Sequence, residues 1–104
     1  MTESKKNILS YIDEKSEVII DVSDKIWEFA ELSLREFQSG ELYAKVLREE
    51  GFEVEHPFAD IETAFRASYG SGKPVIGILA EYDALTGLSQ TAGSSERKEL
   101  VTDG

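Results

Sequence analysis

The chain has 104 residues, of which 40% are hydrophobic, so it has the size of one small domain or of part of a larger one. Its 21 acidic and 11 basic residues give a formal net charge of −10, which argues against nucleic acids and anionic membrane surfaces as partners. Because there is no cysteine, no signal-peptide pattern at the polar N-terminus and no apolar run near the roughly 20 residues of a membrane span, we expect a soluble cytoplasmic protein.

Apolar residues at helical spacing fill the first third of the chain. They recur at three- and four-residue steps over residues 4–34, and no glycine or proline interrupts them. Lys15 and Ser16 fall where the pattern requires an apolar residue, so one long helix and two abutting helices both remain open. We expect Trp27 to pack at the boundary between a helix and a sheet.

A second helical region has clearer boundaries. Ser39 is predicted to be its N-cap, and Gly51 stands where a C′ glycine ends a helix. Phe52 is then placed to fold back onto Val46 or Leu47 in a Schellman-type contact. The sequence therefore predicts a helix between Ser39 and Gly51.

Two segments of alternating character predict half-buried strands. The first covers residues 52–56 and is ended by Pro57, and the second covers residues 63–69. The glycine-rich segment 70–74 is predicted to be a hairpin turn into the next strand. The single histidine, His56, lies at a strand end, where a surface or edge position is far more common than a metal-binding role.

The most informative feature is a continuous apolar run, residues 75–80, that leads directly into Glu81 and Asp83. Such a short run is typical of a strand buried on both faces. We name it the apolar segment and expect it to be the central strand of the complete protein. If extended geometry persists to Asp83, both carboxylates project to the same side, at the carboxyl edge of the sheet.

The order of these elements predicts an α/β fold class, with two or three helices packed on a three-stranded sheet. From Thr86 onward the residues are typical of turns and loops, and no further helical or strand pattern follows.

Two carboxylates are the main candidates for chemistry. The chain has one histidine, no Gly-x-Ser-x-Gly motif, and no glycine-rich phosphate loop between a strand and a helix. Glu81 and Asp83 either bind or orient a ligand at the sheet edge, or they are solvated acids at a strand end. Because zinc and manganese sites generally add imidazole or thiolate ligands, these residues alone do not complete a catalytic centre.

Several motifs, in their order and spacing, resemble those of the co-catalytic metal amidohydrolases and carboxypeptidases, the family of aminoacylases, hippurate hydrolases and carboxypeptidase G. The similarity covers nearly the whole chain and is greatest to the aminobenzoyl-glutamate hydrolase branch. The segments that carry it are residues 26–32, 36–39, 47–52, 77–85 and 87–90.

The resemblance implies a metallopeptidase catalytic domain, with residues 1–85 as its N-terminal portion and residues 86–104 as a polar loop that leads to a metal-binding segment missing here. It implies cleavage of an amide bond to an amino acid, in an N-acyl amino acid, a peptide or an aminobenzoyl-glutamate. It also implies two divalent ions, zinc or manganese, and a homodimeric parent enzyme.

Residue by residue, the resemblance matches Asp83 to an aspartate that orients a metal-binding imidazole. Glu81 matches a position that is a ligating histidine in other branches, and since an acid stands there, we assign it no more than a place near the site. No metal ligand is expected within this chain, so we expect the isolated chain to bind no metal and to be inactive.

Two alternatives remain open. The net charge of −10, the lone histidine and the absence of cysteine also suit a stand-alone acidic interaction module without catalysis. A weaker alternative is a calcium site formed by Glu81, Asp83 and nearby carbonyl groups. Under the hydrolase interpretation, a chain that stops soon after its central strand leaves a free edge and an apolar face, so we expect marginal stability or self-association.

Overall fold

The computed structural model describes residues 1–104 and has a mixed α/β architecture, which confirms the predicted fold class. The elements, in chain order, are α1 (Glu3–Glu14), α2 (Ser16–Phe29), α3 (Phe37–Glu49), β1 (Glu53–Glu55) and β2 (Arg66–Ser68). Helix α2 packs against α3, α3 packs against β1, and α1 contacts α2. The sheet has two strands, so the predicted strand count of three was wrong.

The first helical region consists of two helices that meet at Lys15. Thr2 caps the start of α1 by accepting a hydrogen bond from the backbone N–H of Lys5 at 3.3 Å. At the junction, the Lys15 ammonium lies 2.7 Å from Oε2 of Glu50, beyond the end of α3. The hydrogen bond to Glu50 raises the pKa of Lys15 above its ordinary value. The polar residue that interrupts the apolar pattern therefore ties the first two helices to the third.

Helix α3 ends as predicted but begins three residues earlier than predicted, with Glu36 rather than Ser39 at the N-cap position. The backbone N–H of Phe52 donates to the Leu47 carbonyl at 2.9 Å, and that of Gly51 donates to Arg48 at 3.1 Å. With Gly51 at φ 93°, these bonds form a Schellman motif. Ser39, in contrast, lies inside the first turn with its hydroxyl buried and without a hydrogen-bond partner, so its assignment as N-cap was wrong.

The two strands form an antiparallel pair in which Val54 faces Ala67. Both are shorter than the alternating segments predicted. Along each strand the middle residue is half-buried and its neighbours are exposed, as the alternation requires. Few side chains are buried: Val22 of α2, Ser39 and Ala44 of α3, and Thr63 in the connection between β1 and β2.

The apolar segment is not a strand, which corrects the expectation of a buried central strand. Its large side chains are 83–91% exposed, and segment 70–74 does not lead into a hairpin partner. A central strand needs a neighbouring strand at each edge and cover on both faces. Here β2 is only three residues long, and no further strand or helix is present to cover the segment.

An open apolar hollow of about 1650 Å³ lies between the helices and the second half of the chain. Its walls include Val22 and Ile26 of α2, Leu47 of α3 and Ile78 of the apolar segment. Trp27 also lies on this hollow and is 53% exposed, which does not match its predicted packing at a helix–sheet boundary.

Residues 86–104 contain turns and bends but no helix or strand. They fold back on themselves, since the backbone N–H of Gly87 donates to the carbonyl of Gly104 at 2.8 Å. None of the helices combines the length and the apolar character that crossing a membrane requires.

Candidate functional site

Exposure alternates along the residues that follow the apolar segment. Glu81, Asp83 and Leu85 are exposed, whereas Tyr82 and Ala84 are half-buried. This alternation is that of an extended chain with one face against the protein, so the two carboxylates share the outer face. The exposure of both carboxylates matches this alternation, although the preceding residues form no strand, and the role of the two acids at a site stays a prediction.

The residue after Asp83 is held by the loop that follows α2. The backbone N–H of Ala84 donates to the Glu31 carbonyl at 2.7 Å, and Leu32 and Ala84 form an isolated parallel bridge. This hydrogen bond fixes the position of the backbone next to Asp83 relative to the loop that follows α2.

The residue before Asp83 is held by its side chain. The Tyr82 hydroxyl donates a hydrogen bond to the carbonyl of Thr63. The Tyr82 ring packs against those of Tyr43, on α3, and Phe65, with ring centroids 5.2 Å and 6.1 Å away. Tyr43 and Phe65 stack on each other at 5.6 Å, which closes a three-ring cluster. Such aromatic pairs contribute about 0.5–1.5 kcal/mol each beyond the burial of their area.

Gly40 permits the close approach of α3 to this cluster. A Cβ atom at position 40 would lie 3.1 Å from the Thr63 carbonyl oxygen, 3.2 Å from Cε1 of His56 and 3.5 Å from the Tyr82 hydroxyl. The first two separations are too short for ordinary van der Waals contact, so only glycine fits without a shift of neighbouring atoms. The need here is for space, because Gly40 has ordinary helical geometry.

The start of α3 is capped from a distance by Glu31. One carboxylate oxygen accepts the backbone N–H of Ser39 at 2.7 Å, and the other accepts that of Gln38 at 3.0 Å. Two of the four N–H groups that a helix leaves without partners are thereby satisfied, and the negative charge lies at the positive end of the helix dipole. Burial acts to raise the pKa of Glu31, but the hydrogen bonds from Gln38 and Ser39 outweigh it, so the pKa lies below its ordinary value.

The electrostatics around Tyr82 favour its neutral form. Burial raises the pKa of the Tyr82 phenol above its ordinary value, and the negative charges of Glu36 and Glu31 act in the same direction. The hydroxyl therefore remains a hydrogen-bond donor to Thr63 well into the alkaline range.

The residues of this chain do not form a metal site by themselves. No three side chains of the histidine, cysteine, aspartate and glutamate types come close enough to hold an ion together. The lone imidazole, that of His56, lies just past β1, half-buried, with Nδ1 2.9 Å from the Ala64 carbonyl oxygen. Asp83 is exposed, so its carboxylate is free to accept a hydrogen bond from an external group.

Asp83 and Glu81 stay predicted site residues, whereas Tyr82 and Glu31, which hold the chain on either side of Asp83, were not predicted from the sequence. Glu31 caps a helix that starts six residues later, and Tyr82 bonds to a carbonyl 19 residues away. Local patterns carry no signal for the Tyr82 contact. Glu31 lies within the segment 4–34 that was predicted to be helical, so no local pattern signalled its role as a cap either.

Comparison with known proteins gives one informative relationship. No family model matches the chain. Over 95 residues it is 43% identical to one of the subunits of the p-aminobenzoyl-glutamate hydrolase of Escherichia coli (strain K12), an alignment that covers 88% of this chain and 20% of that protein. The chain thus spans about a fifth of the length of the curated relative it matches. The resemblance seen in the motifs is confirmed: over most of its length the chain is similar to one part of a p-aminobenzoyl-glutamate hydrolase subunit.

Proposed function

We propose that this chain is part of an enzyme that hydrolyses the amide bond to an amino acid in a substrate of the aminobenzoyl-glutamate type. The proposal is supported by the 43% identity to a hydrolase and by the placement of Asp83. The single observation that carries it is that Asp83 is exposed while both of its neighbours are fixed to the protein. A solvated acid at a loose chain end does not require such anchoring.

In this proposal Asp83 orients a metal-binding imidazole that lies outside these 104 residues. Its carboxylate accepts the N–H of one ring nitrogen, which fixes the tautomer and leaves the other nitrogen free to bind a metal ion. Glu81 shares the exposed face and lies near the site without being assigned as a ligand. The two ions are zinc or manganese, and the parent enzyme is a cytoplasmic homodimer.

The 104-residue chain is inactive by itself in this proposal, since its own side chains do not assemble a metal site. The other substrates in reach of the same chemistry are N-acyl amino acids and peptides. Which of these substrates is used depends on the residues that contact the acyl group.

The test compares the 104-residue chain with the complete product of the gene that contains it. Each protein is supplied with manganese or zinc, and release of glutamate from p-aminobenzoyl-glutamate is measured. We expect turnover only in the complete product, and a loss of about 10- to 100-fold in the Asp83→Asn variant, the range typical for groups that orient a metal ligand.

The matched control is Asp24→Asn, an exposed acid on α2 remote from this contact network, which should retain full activity. Turnover by the isolated 104-residue chain would contradict the proposed inactivity. Unchanged activity of Asp83→Asn in the complete product would contradict the role given to Asp83.

A further inference from the structure

Asp83 owes its position to its two neighbours. The Tyr82 side chain reaches the Thr63 carbonyl, and the Ala84 backbone reaches the Glu31 carbonyl. These two bonds lie on either side of the acid and lead to different parts of the chain. The backbone at Asp83 is thereby held on both sides.

Both anchors converge on the first turn of α3. The Glu31 carboxylate is bound by the N–H groups of Gln38 and Ser39, and the adjacent Gly40 lies against Thr63 and the Tyr82 hydroxyl. The helix start therefore contacts the partner of each anchor. Movement of this turn displaces both supports of Asp83 together.

Glu31 takes part both in the cap of α3, through its side chain, and in the bond to Ala84, through its backbone. Its side chain is clamped to α3 by two charge-assisted hydrogen bonds, which are about twice as strong as neutral ones. Its backbone carbonyl, in the same residue, accepts the N–H of Ala84 at 2.7 Å. Because Ala30 just before it adopts left-handed geometry at φ 46°, the chain turns sharply here, and the side-chain clamp restrains the direction in which the carbonyl points.

We propose that Glu31 is a positioning residue for Asp83. Its carboxylate fixes residue 31 on the start of α3, and the carbonyl of that residue then sets the location of Ala84 and of the acid before it. The functional meaning of this link rests on the role proposed for Asp83. The physical link itself does not, and it is testable without metal or substrate.

The test is backbone amide hydrogen exchange, followed by NMR on the 104-residue chain. In Glu31→Gln one acceptor oxygen becomes an NH₂ group and the charge is lost, so the amides of Gln38 and Ser39 should exchange faster. The inference requires that the Ala84 amide also exchanges faster, by roughly tenfold or more, equivalent to about 1.4 kcal/mol. The Phe52 amide, bonded at the opposite end of α3, should be unchanged.

The matched control is Glu28→Gln, an exposed acid on α2 that takes part in no cap. This substitution should leave the exchange rates of the Gln38, Ser39, Ala84 and Phe52 amides unchanged. Glu31→Asp keeps the charge but is shorter by one methylene group, so it should give an intermediate rate at Ala84. If Glu31→Gln does not fold, Glu31→Asp serves as the test. Faster exchange at Gln38 and Ser39 together with an unchanged rate at Ala84 would then refute the link between Glu31 and the Asp83 region.

Either of two results for the Glu31→Gln variant would overturn the inference. If Gln38 and Ser39 accelerate and Ala84 does not, the cap is independent of the Asp83 region. If Phe52 accelerates equally, Glu31 supports general stability only. Failure of the proposed function is distinguishable from failure of this inference. The first shows as unchanged turnover in Asp83→Asn, and it does not alter the Ala84 exchange rates expected for the Glu31 variants.

Discussion

The start of α3 and the apolar segment differ in how well their residues are supported. Around the helix start, mostly polar or small residues, among them Glu31, Ser39 and Gly40, are half-buried or buried through mutual contacts. The apolar segment contains Ile76, Leu79 and other large apolar residues, yet these are 83–91% exposed. Apolar composition creates a tendency to be buried, but burial occurs only where other elements supply the cover.

The largest effect that this comparison predicts concerns self-association. The exposed apolar segment and the open hollow are both surfaces that a second copy can cover, so we expect the wild-type chain to associate in sedimentation velocity experiments. The double variant Ile76→Lys/Leu79→Lys removes two apolar side chains worth about 1.5–3 kcal/mol each when buried. It should weaken association by roughly a hundredfold or more.

A matched control uses exposed apolar residues outside the segment. Ile8 and Ile12 of α1 are 59% and 49% exposed, and Ile8→Lys/Ile12→Lys should leave association unchanged. A wild-type chain that sediments as a monomer over a wide concentration range and melts cooperatively would show that the exposed segment does not drive association.

The next effect in size contrasts one glycine from each region. Gly40→Val places a branched side chain 3.1 Å or less from the Thr63 carbonyl, so it should lower the free energy of unfolding by about 1–3 kcal/mol. Gly77→Val in the apolar segment meets no atom within 4 Å and should change it by less than about 0.5 kcal/mol. Urea unfolding followed by circular dichroism measures both. Equal effects at the two positions would mean that the helix start is no better packed than the segment.

The smallest predicted effect is a pH dependence that arises at the helix start. Because the pKa of Glu31 is lower in the folded chain than in the unfolded one, its contribution to stability is present above about pH 4.3 and is lost as the pH falls through the folded pKa. The wild type should therefore exceed Glu31→Gln in urea midpoint near neutral pH, and the gap should close on acidification. A gap that persists at pH values well below the folded pKa would assign the difference to packing rather than charge.

Local physics allowed much of the helical part to be predicted from sequence. Gly51 marked the helix end because few other residues adopt a φ of 93°. Lys15 interrupts the apolar stripe, which left one long helix and two abutting helices open, and the structure has two. Ser39 failed as an N-cap because its role is taken by Glu31, a residue eight positions earlier whose approach depends on tertiary structure.

The remaining errors concern contacts that no short pattern encodes. The apolar segment has the composition of a central strand, but burial requires neighbouring strands and covering helices, and no strand or helix of this chain covers the segment. The position of Asp83 was predicted from its place after the segment, whereas its anchoring depends on Thr63 and Glu31. Sequence spacing identified the acid but gave no information about its supports.

The bond between Tyr82 and Thr63 makes a closed loop of the chain between them, and that loop contains both β2 and the apolar segment. A segment with restrained ends has fewer conformations to lose than a free tail when a covering surface arrives. The apolar segment is therefore preorganised by the hydrogen bond between Tyr82 and Thr63. Any surface that covers the segment needs to order only the residues between these two restrained positions.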